Sequence, residues 1–175
     1  MALSGESKDR FNEIQQELSK LSTHFSNNIL DATKSFKRLV TDKAEVDGLP
    51  ESALGLAAQN AKAEGHEAAT PEDGPWVLTL DFPCYMPVMT HSKNRALREE
   101  MYMASITKAS SGEIDNTPII EKILALKREK AQLLGYPNHA EVSMASKMAT
   151  LDRAMRWVDQ ISEPCSHWII GRFLK

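Results

Sequence analysis

The chain contains 175 residues, of which 42% are hydrophobic and 26% are charged, and its formal net charge is −3. These proportions are typical of a globular protein and exclude a collagen-like or extensively disordered chain. The charge balance gives no broad attraction for nucleic acid or for an anionic membrane surface. No segment reaches the roughly 20 uninterrupted apolar residues that cross a bilayer, so we expect neither nucleic acid nor a membrane as a partner.

Cysteine usage and the start of the sequence bear on location. Cys84 and Cys165 are too far apart in sequence to form a close metal-ligand or redox pair, which favours a reducing compartment. The first residues are polar and include acidic side chains, so they lack the features of a secretory signal or a transit peptide. We therefore expect a cytoplasmic location, with an organellar form as the alternative if a transit segment precedes this sequence.

The first half of the chain is predicted to contain two helices. Apolar side chains recur at every third or fourth position in residues 11–39, which predicts a long amphipathic helix over about residues 6–41. A turn at 47–50 follows. The second helix is predicted to begin at Pro50 and to end before Gly65, because proline suits a first helical position and glycine suits the residue after a helix.

A short strand is predicted near residues 76–81. Large apolar side chains occupy every second position there and alternate with Val, Thr and Asp. An isolated strand needs a partner, but the neighbouring sequence offers no obvious second strand.

Four further helices are predicted in the second half. Their starts are marked by Asn94, Thr117, Asn138 and Thr150, and their ends by Ala109, Gly135, Met148 and Pro164. The fold class is therefore all-α, predominantly helical with one short strand, and about 60% or more of the chain is helix against a typical one third.

Residues 66–67 are His-Glu, the pair that opens the HExxH motif of zinc peptidases. That motif needs a second histidine four positions after the first, so that both imidazoles project from one helical face. Position 70 is threonine and proline follows it, so we interpret the segment as a solvated helix terminus.

The other chemistry-bearing residues show no close ligand spacing. The histidines are His24, His66, His91, His139 and His167. A metal site assembled from distant positions, or an unrecognised enzyme site that uses three of them (His66, His91 and His139), stays an alternative. Residues 110–112 form no nucleophile elbow, and nucleotide-binding glycine patterns are absent. We therefore predict no catalytic, cofactor-binding or metal-binding residue in this chain.

Two charged segments have more than one interpretation. Residues 94–100 could supply charged contacts to a peptide, but an ordinary helix start with internal ion pairs is the preferred interpretation. Residues 127–130 mix both signs and are predicted to form a solvated helix face. Met144, Met148 and Met155 recur at helical spacing and are predicted to fill a core.

Residues 110–149, SSGEIDNTPIIEKILALKREKAQLLGYPNHAEVSMASKMA, resemble the start of the catalytic region of the thimet oligopeptidase and oligopeptidase A family of zinc metallopeptidases, especially its plant members. The characteristic parts are Asp115-Asn116-Thr117, residues 120–131, Leu134-Gly135-Tyr136 and Lys147-Met148-Ala149. Upstream blocks at 11–33, 49–61, 74–89 and 94–102 are similar to the same family in the same order. The resemblance covers about residues 9–160.

The resemblance implies a partial lobe of a large, mostly helical, two-lobed fold and an activity on short peptides. It also implies a zinc ion bound by the two histidines of HExxH and a further glutamate. None of these residues has a counterpart here, so no cofactor is expected in this chain and no catalytic residue is carried over. Whether the chain is itself an enzyme stays open, but without zinc we expect it to be inactive alone.

The domain organisation follows from the same resemblance. Residues 1–93 would be the end of the helical N-terminal region, 94–161 the start of the catalytic region, and 162–175 a divergent tail such as a truncated gene copy would give. The hypothesis is a fragment of a metallo-oligopeptidase. The alternative is a non-catalytic helical module that associates with a full-length oligopeptidase or another helical partner, which the long apolar stripe in 11–39 favours.

Overall fold

The computed structural model describes the backbone of residues 4–173 and the side chains of residues 4–162. Over that part of the chain, seven α-helices and one two-stranded sheet confirm the all-α class. No helix in the described part is long and apolar enough to cross a membrane. The helices are α1 (Glu6–Ser35), α2 (Glu51–Ala63), α3 (Phe82–His91), α4 (Arg95–Ile106), α5 (Thr117–Leu133), α6 (His139–Met144) and α7 (Leu151–Phe173), and the strands are β1 (Arg38–Val40) and β2 (Trp76–Leu78).

The chain divides into two compact units. Unit 1 comprises Met1–Leu21 and Glu121–Lys175, and unit 2 comprises Ser22–Ile120. Unit 2 is therefore one continuous segment, whereas unit 1 is assembled from both ends of the chain. Helix α1 belongs to both units, since it runs across the boundary after Leu21.

Helix α1 ends at Ser35, so the prediction of a helix to about residue 41 was wrong at its end. The residues that follow form β1, which pairs antiparallel with β2 and places Val40 opposite Trp76. The strand predicted near residues 76–81 thus has a partner, which comes from residues 38–40 and not from the neighbouring sequence. Helical spacing continues through Leu39, and only the pairing with β2 selects the extended conformation, because strand preference depends on tertiary neighbours.

Strand β2 is shorter than the predicted 76–81 and lies at the centre of the unit 2 core. Trp76, Val77 and Leu78 are all buried, so neither face of the strand is exposed. Helix α2 packs against β2 with its alanines, whose small side chains permit close approach. The fully buried members of this core include Val40, Ala57, Ala61, Trp76 and Met101.

Helix α3 was not predicted because its sequence contains two prolines. Pro83 lies in the first turn, where its missing N–H would be unpaired in any helix. Pro87 lies inside the helix and removes one backbone hydrogen bond. Burial of Cys84 and Val88 in the core compensates, so tertiary packing determines the helix here.

Several helix boundaries follow the predicted local signals. The side chains of Asn94 and Asn138 accept hydrogen bonds from the N–H groups of Leu97 and Glu141, at 3.2 and 3.0 Å, which confirms both as N-caps. Helix α6 ends at Met144, before the predicted Met148. The backbone of α7 stays helical past residue 164, so the prediction that proline stops it was wrong; one internal proline removes a single hydrogen bond.

Within unit 1, polar side chains join α1 to α5. The guanidinium of Arg10 donates to both carboxylate oxygens of Glu129, at 2.6 and 2.8 Å, and these bonds hold the pKa of Glu129 below its usual value. The ammonium of Lys130 donates to Gln15 at 2.9 Å and lies 5.5 Å from the ring centroid of Phe11. Residues 127–130 are therefore not the uniformly solvated face that was predicted.

Within unit 2, two buried asparagines join α1 to the start of α5. The Nδ2 group of Asn28 donates to Oδ1 of Asn116 at 2.9 Å, and Nδ2 of Asn116 donates to the carbonyl of Phe25 at 3.1 Å. The carboxylate of Asp115 accepts two hydrogen bonds from Thr117, which lower its pKa. The characteristic Asp115-Asn116-Thr117 motif therefore has a structural role in this chain.

Candidate functional site

The His-Glu pair at 66–67 lies in a turn that follows α2. The carbonyl of His66 accepts a hydrogen bond from Ala69, and the hydroxyl of Thr70 accepts one from Asp73 at 3.0 Å. Thr70 also forms an isolated bridge with Gly74. Since this segment is a turn, it cannot present two metal ligands from one helical face, in agreement with its interpretation as a helix terminus.

The histidines considered as ligands lie on separate elements. His24 is on α1, His91 ends α3 and His139 begins α6, while the side chain of His167 lies outside the described residues. Among the side chains of residues 4–162, no three His, Cys, Asp or Glu groups could hold a metal ion. The donor set in this part of the chain does not fit a catalytic zinc ion, which needs three converging protein ligands.

His139 lies in a partly buried environment in unit 1. Its Nδ1 atom is buried without a hydrogen-bond partner in the described structure. Burial lowers the pKa of the imidazole, and the positive charges of Lys127 and Lys130 lower it further. The neutral imidazole is therefore the form that unit 1 accommodates.

This environment predicts an acid-sensitive contribution to stability. Because the unfolded chain binds the proton more readily than the folded chain, the contribution of His139 is complete above the unfolded pKa, about 6.5. It is lost as the pH falls from there toward the lower folded pKa. Urea unfolding of the wild type and of His139→Gln at pH 7.5 and pH 5.5 should show a smaller pH effect in the variant. An equal pH effect in both would contradict the assignment, and exposed His24→Gln is the control.

Cys84 is a free thiol on α3 and is buried in the core. Its sulfur accepts the backbone N–H of Thr79 at 3.3 Å, and burial is the main cause that raises the pKa of the thiol. A buried neutral thiol is a poor nucleophile. We therefore assign Cys84 a packing role, while the side chain of Cys165 lies outside the described residues.

A groove between α3 and α4 combines charged and apolar side chains. Four of its side chains project from α4 at helical spacing, and Met89 of α3 lines it as well. The α4 residues are Arg95, Arg98, Glu99 and Tyr102. Positions i, i+3, i+4 and i+7 share one face of a helix, so the sequence of α4 itself determines this arrangement. The volume of this α3–α4 groove is about 270 Å³.

The charged side chains of the groove differ in the hydrogen bonds that they make within the fold. One guanidinium nitrogen of Arg98 donates to the carbonyl of Ser92, at the end of α3. The side chains of Arg95 and Glu99 make no hydrogen bond or ion pair with any residue in the described part of the chain. The groove is lined by two guanidinium groups and one carboxylate, so its net charge is positive.

Sequence reasoning anticipated part of this site. Residues 94–100 were considered for peptide contacts, but the preferred internal ion pairs are not found, since Glu100 pairs with Arg38 of β1 at 3.1 Å. Met89 was missed because α3 was not predicted, whereas Tyr102 lies on the predicted helix but was not considered for the site. The i, i+3, i+4, i+7 spacing of α4 was the available signal.

The last helix presents an apolar face to solvent. Trp157 is 64% exposed, and Met155, Val158 and Ile161 are exposed as well. Met148 is fully exposed, so the prediction that Met148 and Met155 fill a core was wrong.

Comparison with known proteins places these features in a family. The sequence model of peptidase family M3 matches residues 88–167. Organellar oligopeptidase A, chloroplastic/mitochondrial, of Arabidopsis thaliana is 60% identical over 161 residues, which are 92% of this chain and 20% of the relative. The probable cytosolic oligopeptidase A of the same plant is 58% identical over 161 residues, 92% of this chain and 23% of that protein.

Bacterial proteins show the same relationship. Oligopeptidase A of Escherichia coli K12 is 48% identical over 154 residues, which cover 85% of this chain and 22% of the relative. The chain thus spans about a fifth of the length of the curated relatives it matches. High identity with several oligopeptidases over most of its length shows that the chain belongs to the thimet oligopeptidase and oligopeptidase A family.

Proposed function

We propose that the chain is a segment of a zinc-dependent metallo-oligopeptidase that hydrolyses short peptides. The observation that carries the proposal is 60% identity over 92% of the chain with an oligopeptidase A of which these residues make up 20%. In this proposal residues 1–93 end the helical N-terminal region, residues 94–161 begin the catalytic region and residues 162–175 form a divergent tail.

The 175 residues alone would not catalyse hydrolysis. They contain no HExxH sequence, and the side chains of residues 4–162 offer no three-ligand metal cluster. When bound, zinc activates water and polarises the peptide carbonyl, but no residue of this chain is assigned to hold it. We therefore propose that this segment supplies scaffold and surface rather than reacting groups.

A cytoplasmic location is proposed with an organellar alternative. The two plant relatives support both, since one is described as cytosolic and the other as chloroplastic/mitochondrial. At 60% and 58% identity, the two likenesses are too similar to separate the locations.

The proposal can be tested in a chimeric enzyme. The matching segment of the Arabidopsis organellar oligopeptidase A would be replaced by residues of this chain, and hydrolysis of a short quenched fluorescent peptide would be measured. We expect chelator-sensitive hydrolysis by the chimera and none by the isolated 175-residue chain with added zinc. Chelator-sensitive turnover by the isolated chain, or a folded but inactive chimera, would contradict the proposal. The unmodified relative is the positive control.

A non-catalytic helical interaction module is the second candidate. The apolar face of α7, with Trp157 and Val158 largely exposed, favours it because exposed apolar patches mark interaction surfaces. Size-exclusion chromatography with light scattering, alone and with a full-length oligopeptidase A, separates the two candidates. A monomer that associates with nothing would count against the module.

A further inference from the structure

The α3–α4 groove combines three chemical groups that recognise the end of a peptide. Guanidinium groups bind carboxylates through paired, charge-assisted hydrogen bonds, and this groove has two of them, Arg95 and Arg98. Tyr102, which is 48% exposed, and the thioether of Met89 offer an apolar surface beside them. A ligand that fits must therefore carry a negative group next to an apolar group.

A hydrogen bond within the fold fixes the position of the Arg98 side chain. Its hydrogen bond to the Ser92 carbonyl ties the side chain to the end of α3 and uses one of its five N–H donors. Ser92 is itself buried and its N–H donates to the carbonyl of Val88, so this anchor is part of the packed hairpin. Arg98 is therefore held in place with donors to spare, while Arg95 has no competing partner in the described structure.

The carboxylate of Glu99 limits how much negative charge a ligand of this groove can carry. Its carboxylate lies on the same face of α4 and has no ion-pair partner among the described residues. It would repel a second negative charge on a ligand and would weaken the attraction for a first one. A ligand with a single carboxylate suits the groove better than a polyanion such as a phosphorylated chain.

We propose that the α3–α4 groove binds the C-terminal carboxylate of a short peptide through Arg95 and Arg98, with the last apolar side chain against Tyr102 and Met89. A groove of about 270 Å³ has room for the terminal one or two residues and not for a folded partner. That the ligand is a peptide rests on the proposed function. That the groove binds a carboxylate does not. The site involves no covalent step.

The test measures binding by the full 175-residue chain with amide-detected NMR titrations. The probes are an N-acetylated dipeptide with an apolar last residue and a free carboxylate, the same dipeptide as its C-terminal amide, and acetate. Arg95→Gln removes a charge that makes no side-chain hydrogen bond or ion pair in the described fold, and Glu99→Gln removes the opposing charge. Arg128→Gln, on the exposed face of α5 in unit 1, is a control with the same charge change as Arg95→Gln.

The Arg95 and Glu99 substitutions are expected to change the affinity for the free acid in opposite directions. Arg95→Gln and the amide probe should each bind about tenfold more weakly, because a charge-assisted hydrogen bond is lost. Glu99→Gln should bind the free acid about threefold more tightly, because a repulsive charge is removed. Arg128→Gln should bind as the wild type does.

Three outcomes would overturn the carboxylate site, and a fourth would overturn its assignment to a peptide. Equal affinity for the acid and the amide would exclude carboxylate recognition, as would equal affinity of Arg95→Gln and Arg128→Gln. No saturable binding of the acid would exclude the site altogether. Acetate binding as tightly as the dipeptide would retain the carboxylate site but overturn the peptide assignment. If the groove binds a carboxylate but the chimera is inactive, the proposed function is overturned and the carboxylate site is retained. The failure of one proposal can therefore be distinguished from the failure of the other.

Discussion

Replacing Asn116 with alanine is expected to lower the free energy of unfolding by about 2–3 kcal/mol, because the buried Asn28 amide loses its acceptor and the half-buried Phe25 carbonyl loses a donor. Asn116 is 3% exposed and Asn28 is 7% exposed, so water cannot replace the lost side chain without opening the structure. The change leaves the Asn28 amide and the Phe25 carbonyl without these hydrogen bonds. Urea unfolding followed by circular dichroism measures the loss.

A double-mutant cycle separates the hydrogen bond from general effects of truncation. Asn28→Ala should cost about 1–2 kcal/mol, and the double variant should cost less than the sum of the single changes. Asn27→Ala is the matched control, since Asn27 is the exposed neighbour on α1. Additive effects at 28 and 116, or an equal loss at 27, would show that the two amides do not stabilise each other.

Gly74→Ala is expected to destabilise unit 2 by about 2–4 kcal/mol, through a left-handed backbone and a steric clash together. Gly74 has a φ of +71°, and an added Cβ would lie 2.7 Å from two ring atoms of Trp76. The indole cannot move away easily because it is fully buried and its N–H donates to the carbonyl of Pro71 at 3.2 Å. Thermal or urea unfolding measures the effect.

Gly65→Ala provides the control for this change. Gly65 also has a positive φ, +95°, but nothing lies within 4 Å of an added Cβ. It should therefore show only the backbone cost, about 1–2 kcal/mol. If both variants lose the same stability, the contact with Trp76 contributes nothing and the packing argument fails.

The features of the fold that could be predicted are those encoded locally. Asn94 and Asn138 were identified as N-caps because a single side chain and the next few residues determine a cap. The pairing of β1 with β2 could not be predicted, since residues 36–41 continue the helical spacing of α1. Helix α3 was missed for a related reason, because its prolines argue against a helix and only burial of Cys84 and Val88 outweighs them.

The candidate site was only half visible in the sequence. The spacing of the α4 side chains from Arg95 to Tyr102 could be read directly from the sequence, because one helix carries them all. Met89 comes from the other helix of the hairpin, so its place in the groove required the fold. The hydrogen bond from Arg98 to the carbonyl of Ser92 also depends on the loop between α3 and α4, and no local sequence pattern indicates it.

The division of the chain into two units has a consequence for the order in which it folds. All contacts within unit 2 lie between Ser22 and Ile120, so they are available before the last part of the chain is synthesised. Unit 1 needs both ends, and its Arg10–Glu129 pair joins residues 119 positions apart. Closing so long a segment costs chain entropy, and a folded unit 2 shortens the flexible length that must be closed. The topology therefore favours completion of unit 2 before unit 1.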